Sequence, residues 1–316
     1  MDNRIDVQTT RRKSSLSFDE EAFKDEVITS FIVVVMKAYI SVDLEGMPYV
    51  VIPGHLNLKG AQYEEVRKIA TKLTLVVVNA LHEAGFEEII VADSHGPMVN
   101  LMIEELPDYV ELIRGFPRPQ AMVIGVEGSD VALFLGYHAK SGTAYSTFDH
   151  TYSGGTILTL KINGIEISEF LLNGYTAGEV KVPVILVAGD YQLLEDDVKV
   201  HAPWAERVEL KRSFGRSAAK SPGLGKLEKD LKAAVKRAVS SFKQKKAKPL
   251  AVKTPVNVEI TFKNSYFADT AELLPFVTRV GGHDIKYTTN TMSEAYEVFQ
   301  LLCIAAAGIS SIKQNQ

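Results

Sequence analysis

The sequence predicts an α/β fold: a mostly parallel sheet flanked by helices, followed by a second, smaller α+β domain. Three observations carry this expectation. Apolar runs within residues 38–46, 88–95, 130–138 and 182–190 are short and end in polar residues, as strands buried on both faces do. Between the first two lies one stretch with helical spacing, which makes a βαβ unit with a right-handed connection. Beyond about residue 195 the composition shifts to a basic helical stretch and an alternating strand. The expected division is residues 1–35 as an N-terminal extension, 36–195 as the first α/β domain and 196–316 as the smaller domain.

The chain has 316 residues, 46% of them hydrophobic, which is enough to bury a substantial core. Its 35 Lys and Arg against 39 Asp and Glu give a net charge of −4. That lacks the basic balance that drives nucleic-acid binding, so no nucleic-acid partner is expected. No uninterrupted apolar run approaches the roughly 20 residues of a bilayer span, and residues 27–35 lack the positive leader of a secretory signal. No membrane partner and a cytoplasmic location follow as expectations. Cys303 is the only cysteine and sits in Leu301-Leu302-Cys303-Ile304-Ala305, the setting of a core thiol in a reducing compartment.

Taken in order, residues 1–30 are polar with both charge signs, the pattern of a mobile tail, and residues 31–35 run on into the first strand. That strand ends in Asp43-Leu44-Glu45-Gly46. Strand side chains alternate in direction, so Asp43 and Glu45 point the same way, and Gly46 lets the chain turn. Two like charges this close repel unless a cation or a proton lies between them. After a loop with Pro53, Gly54 and His55, the residues Val66, Ile69, Leu73, Val76, Val77 and Leu81 keep helical spacing over residues 61–83, and Gly85 ends that helix. Residues 88–95 make the next strand, closing on Asp93-Ser94-His95, and a further helix is expected over 100–105. Residues 130–138 repeat the pattern and end in His138.

Alternation on both sides of Asn163-Gly164 predicts a hairpin over residues 156–167. Ser168 suits a helix N-cap, with Glu169 in the first turn. Residues 182–190 read as another buried parallel strand, 226–248 as a basic solvated helix, 255–262 as a strand and 293–307 as a closing helix.

In open α/β sheets, ligands bind outside the carboxyl ends of the strands, where the strand order reverses. Asp43, Glu45, His95 and His138 all fall at that edge. Imidazole and carboxylate are donors that zinc prefers. Two histidines and two or three acids exceed the needs of one four-coordinate ion and point to two metals bridged by a carboxylate. His55, His82, His201 and His283 read as loop or surface residues.

Taken together, these stretches resemble the DppA-like D-aminopeptidases, a family of zinc metallopeptidases first associated with a dipeptide-transport operon. The matching segments are Ser41-Val42-Asp43-Leu44-Glu45-Gly46, Asp93-Ser94-His95 with Met98-Val99-Asn100-Leu101, and Leu135-Gly136-Tyr137-His138-Ala139. Ile162-Asn163-Gly164 leading to Glu169, Val187-Ala188-Gly189-Asp190 and Arg216-Ser217-Ala218-Ala219-Lys220 continue them in the same order. The resemblance implies two zinc ions per subunit on Asp43, Glu45, His95, His138 and Glu169. In that pattern Asp43 bridges, Glu45 and His138 complete one ion, and His95 and Glu169 the other. It also implies His150 as the catalytic histidine, although its spacing from His138 is one residue longer than the pattern and Asp149 and Thr151 depart from it.

The expected activity is hydrolysis of the N-terminal amide of short peptides, with D-residues first, by a metal-activated water. His150 would serve as nucleophile or as general acid and base. The resemblance also implies a ring-like homo-oligomer, a decamer among its forms. Two other readings stand beside it: a two-metal phosphoesterase, and a metal-stabilised oligomeric binding protein without turnover.

Overall fold

A strand order that reverses beside the first strand sets where this molecule can hold a ligand. The computed structural model describes residues 35–314. The expected tail over 1–30 and the strand extension over 31–34 lie outside the described residues. The main sheet contains β1 (Met36–Val42), β2 (Phe86–Asp93), β3 (Val110–Ile113), β4 (Val131–Tyr137), β7 (Val184–Asp190), β8 (Glu206–Gly215) and β9 (Ala218–Lys220). Their spatial order is β3-β2-β1-β4-β7-β8-β9, parallel throughout except that β9 returns antiparallel to β8. The chain leaves β1 toward β2 and β3, then crosses back to β4 on the other side of β1. The carboxyl ends of β1 and β4 therefore flank a switch point.

One face of this sheet is covered by α1 (Tyr63–Glu83) and α5 (Leu224–Lys243), which pack on each other. Ala38, Ile40 and Val42 of β1 face them, with Leu73, Val77, Leu81, Leu231 and Val235 closing that core. The opposite face carries α2 (Glu169–Glu179) and a second, antiparallel sheet in the order β11-β12-β10-β5-β6. Its strands are β5 (Ile157–Ile162), β6 (Ile165–Glu166), β10 (Val256–Phe262), β11 (Thr278–Arg279) and β12 (Asp284–Thr289). Asn163 and Gly164 make the expected turn between β5 and β6, both with positive φ, as such a hairpin demands. Tyr39, Phe134 and Val187 of the main sheet share a core with Phe170, Ile260, Tyr287 and Phe299.

The sheets do not divide the chain at residue 195. β8, β9 and α5 complete the main sheet and its helical cover, whereas β5 and β6 pair into the second sheet through β10. The compositional shift marked the exposure of α5, whose polar face is wide, not a boundary between domains. The helix expected over 100–105 is reduced to a 3-10 turn at Ile103–Glu105. The carboxylate of Asp93 accepts from the backbone N–H groups of Asn100 and Leu101, at 2.5 and 2.8 Å, and holds that segment as a loop. After β7 the chain runs through α3 (Tyr191–Leu193), a π turn (Leu194–Val198) and α4 (Lys199–His201). α6 (Ser265–Ala271) and α7 (Met292–Gln314) pack on the second sheet and on each other.

By length and composition, α7 is apolar enough over Met292–Lys313 to cross a bilayer. Glu294, Glu297 and Gln300 divide this stretch, so it holds no uninterrupted apolar run of that length. Tyr296, Phe299, Leu302, Cys303 and Ala306 are buried on its inner side, as in the core helix of a globular protein.

Candidate metal centre

The carboxyl end of β1 is pinned to that of β4 before any side chain is considered. Asp43 N–H donates to the Leu135 carbonyl at 2.8 Å and Gly46 N–H to the Gly136 carbonyl at 2.7 Å. The two backbones come so close that a Cβ on Gly136 would lie 2.0 Å from the Asp43 oxygen, and one on Gly46 1.9 Å from the Tyr137 oxygen. Only glycine fits at both positions. This clamp brings Asp43 and Glu45 beside His138, while His95 arrives from β2 on the other flank of β1.

All six residues expected from the sequence meet here. Asp43, Glu45, His95, His138 and Glu169 are buried, and His150 is half-buried. His95 Nδ1 lies 2.6 Å from Glu45 Oε2 and 3.4 Å from Asp43 Oδ1. His138 Nε2 lies 3.7 Å from Asp43 Oδ2 and 3.5 Å from Glu169 Oε1. Asp43 thus turns one oxygen to each histidine, the disposition a bridging carboxylate needs. The two histidines are exchanged relative to the pattern the resemblance implies: His95 groups with Glu45, and His138 with Glu169. Strand order keeps the two histidines apart, since β2 and β4 lie on opposite sides of β1.

His150 joins the second group, with Nε2 3.6 Å from Glu169 Oε1 and 3.9 Å from Glu45 Oε1. Its ring stacks on that of His138 at 4.4 Å. Glu169 is no surface acid. Ser168 caps α2 by accepting from Leu171 N–H, and the first turn delivers Glu169 inward, where Tyr152 N–H donates to it at 2.7 Å.

Each histidine has one ring nitrogen on a backbone carbonyl. His95 Nε2 meets Leu56 O at 3.0 Å, His138 Nδ1 meets Ala139 O at 3.0 Å, and His150 Nδ1 meets Phe148 O at 2.6 Å. Since a carbonyl only accepts, an N–H sits there, and the other ring nitrogen is the one turned to the acids. This is how metal-ligating imidazoles are held.

The electrostatics call for a cation. Burial, reinforced by the charge of Glu45, raises the Asp43 carboxyl well above the usual carboxylate range. Burial also works against Glu45, but His95, His150 and His138 outweigh it and hold Glu45 well below that range. Glu169 is lowered in the same way, burial being outweighed by His138. Burial opposes charge on His138, yet Glu169 and Asp43 push it up to about 10. His150 differs: burial and the neighbouring His138 lower it. Asp43 Oδ2, Glu45 Oε2 and His138 Nε2 are buried without a hydrogen-bond partner. These orphaned atoms are of the types zinc prefers and lie in two adjoining groups, each of which could hold a metal ion.

Several supporting residues escaped the sequence reading. Under the site, Ser41 shares hydrogen bonds with Ser94 and with Tyr137, at 2.9 and 2.7 Å, and Asn173 donates to Tyr137 at 3.0 Å. This chain ties β1, β2, β4 and α2 together. Asn100 Nδ2 bonds both Asp93 and the His95 carbonyl, at 2.6 and 2.8 Å, and so fixes the turn that presents His95. Lys211 of β8 is fully buried and donates to the carbonyls of Glu45 and Val50. Burial pushes its ammonium down to about 8 against the pull of Asp190, Glu45 and Asp43. An alternating strand pattern marks such positions as interior but assigns them no role.

Residues 36–301 match the family model described as D-aminopeptidase, peptidase M55. The D-aminopeptidase of Bacillus subtilis (strain 168) is 31% identical over 269 residues, covering 84% of this chain and 96% of that protein. Among solved structures, the Zn-dependent D-aminopeptidase DppA from Bacillus subtilis, described as a self-compartmentalizing protease, superposes with a TM-score of 0.82 at 31% identity. That match covers 86% of this chain and 98% of the other.

Proposed function

The chain belongs to the D-aminopeptidase family of metallopeptidases, and from that premise we propose that it releases the first residue of short peptides, D-residues first, at a two-zinc site. Asp43, Glu45 and His95 would hold one ion, and Asp43, His138 and Glu169 the other. The observation that carries this reading is the set of imidazoles anchored on backbone carbonyls through one ring nitrogen, with the other turned to three buried carboxylates. When bound, zinc polarises the scissile carbonyl and lowers the pKa of water toward about 7.

The protein's own residues do the rest. The amide C–N bond breaks, hydroxyl adds to the carbonyl carbon, and a proton must reach the leaving nitrogen. His150 suits that transfer: its Nδ1 is held by Phe148 O, it lines the cavity, and burial and His138 lower its pKa from the ordinary imidazole value. It takes the proton as general base and delivers it to the amine as general acid. A phosphoesterase finds less support, because the nearby cations are engaged elsewhere: Lys211 with two carbonyls, and Lys140 with Asp197 at 2.8 Å.

We also propose a homo-oligomer that encloses the sites. The relative's description as self-compartmentalizing supports it, as does the exposure of Leu301, Ile304 and Ile312 along α7. The test is metal analysis of purified protein together with product analysis on matched D- and L-amino-terminal peptides. About two zinc per chain with release of the first D-residue is expected; a metal-free protein, or zinc without release, would overturn the proposal.

A further inference from the structure

Two cavities meet at the metal centre, and they differ in size and lining. One, of about 220 Å³, is lined in part by Asp43, Glu45, His95, His150 and Glu169. Its remaining wall includes Met98, Phe116, Met122, Cys303, Ile304 and Ala307, none of them charged. The other is a cleft of about 820 Å³ between the Pro53–His55 turn with the residues after it, up to Lys59, and Phe148, Gly154 and Gly155. The two share Glu45, His95 and Gly96 and no other lining residue.

We propose that this pair of cavities divides the substrate at the scissile bond. The small one takes the first residue and selects uncharged side chains, and the wide cleft takes the leaving peptide with little regard to its length. The inference rests on the aminopeptidase reading above. Ligand sites for drug-sized molecules usually span roughly 300–1,000 Å³, so the small cavity suits one residue and the cleft several. A lysine or glutamate side chain reaching the wall formed by α7 would lose its water and meet no opposite charge there, only neutral hydroxyls such as those of Tyr152 and Ser153, which is costly. An apolar chain would gain contact with Met98, Met122 and Cys303.

Two substitutions separate the cavities. Ala307 is exposed at the rim of the small one, and a Cβ on Gly155 would meet nothing within 4 Å in the wide one, so Ala307→Phe and Gly155→Phe should both fold. The assay is kcat/KM on zinc-loaded full-length protein, with D-alanyl, D-norleucyl and D-lysyl dipeptides and tetrapeptides. Wild type is expected to prefer D-norleucyl over D-lysyl peptides by tenfold or more. Ala307→Phe should cut the norleucyl-to-alanyl ratio by tenfold or more and leave the tetrapeptide-to-dipeptide ratio in place. Gly155→Phe should do the reverse. Equal cleavage of norleucyl and lysyl peptides, or both ratios moving together in either variant, would overturn the proposal.

Calorimetric titration with free D-norleucine and D-lysine reads the small cavity without turnover. If the wild type cleaves nothing, the aminopeptidase reading fails, yet tighter binding of norleucine that Ala307→Phe weakens would still uphold the pocket assignment. Indifferent binding would overturn it.

Discussion

Gly136→Ala is the most direct test of how this fold builds its metal centre. The glycine has φ +78°, in the left-handed region, and a Cβ there would sit 2.0 Å from the backbone oxygen of Asp43. Holding alanine in that conformation costs about 1–2 kcal/mol. Reaching ordinary contact would also drive the ends of β1 and β4 apart by roughly 1 Å or more. The hydrogen bonds Asp43 N–H to Leu135 O and Gly46 N–H to Gly136 O would then be strained or lost, each worth about 0.5–1.5 kcal/mol. The total is about 2–5 kcal/mol of stability.

The same movement widens the gap between Asp43 and His138, so zinc affinity should fall with it. Gly142→Ala is the matched control: its φ is +82°, but a Cβ there meets nothing within 4 Å, so only the conformational cost applies. Urea unfolding of metal-free protein gives the stabilities, and competition with a zinc chelator gives the affinities. If Gly136→Ala matches Gly142→Ala in both measurements, the clamp does not position the site and the reasoning fails.

Replacing His138 by alanine should remove about half of the bound zinc, whereas His150→Ala should keep the zinc and lower kcat by about 10²–10⁴, the usual range for general acid–base catalysis. Metal analysis beside turnover separates the two, and zinc loss in His150→Ala would make that residue a ligand. Asp93→Ala leaves the buried N–H groups of Asn100 and Leu101 without acceptors, at about 1–3 kcal/mol each, and frees the turn that carries His95. It should lower both the unfolding midpoint and zinc content; normal values for both would refute that role. Cys303 is buried, and burial pushes its thiol well above the usual range. Iodoacetamide should leave it unlabelled in the native protein at pH 7 to 9 and label it in denaturant; rapid native labelling would contradict the assignment.

Much of the fold was legible because its signals are local. The 3,4 spacing of Val66, Ile69 and Leu73 gave α1, and Asn163-Gly164 placed the β5–β6 turn. What was not legible depends on pairing between distant segments. Nothing near residues 206–215 says that they join β7 instead of opening a new domain, because parallel pairing is set by which edge remains open after β4 and β7 have formed. The loop at Asn100 likewise turns on a side chain: Asp93 competes with helical hydrogen bonding for the backbone N–H groups seven and eight residues on.

The site divides along the same line. Residue types that bind metals, placed at the ends of buried strands, can be read one by one from the chain. Their grouping cannot, because it depends on strand order and on side-chain placement. Once β2 and β4 are known to flank β1, Asp43 lies between the two histidines, while the grouping of Glu45 with His95 and of Glu169 with His138 is visible only in the folded side chains. The carbonyls of Leu56, Ala139 and Phe148, which decide the nitrogen each imidazole presents, have no sequence signal, since every residue carries one. In this fold the choice of donor is written in side chains and the orientation of donors in backbone. A variant that keeps all six side chains but shifts the loop after Pro53 should therefore lose zinc through His95 alone.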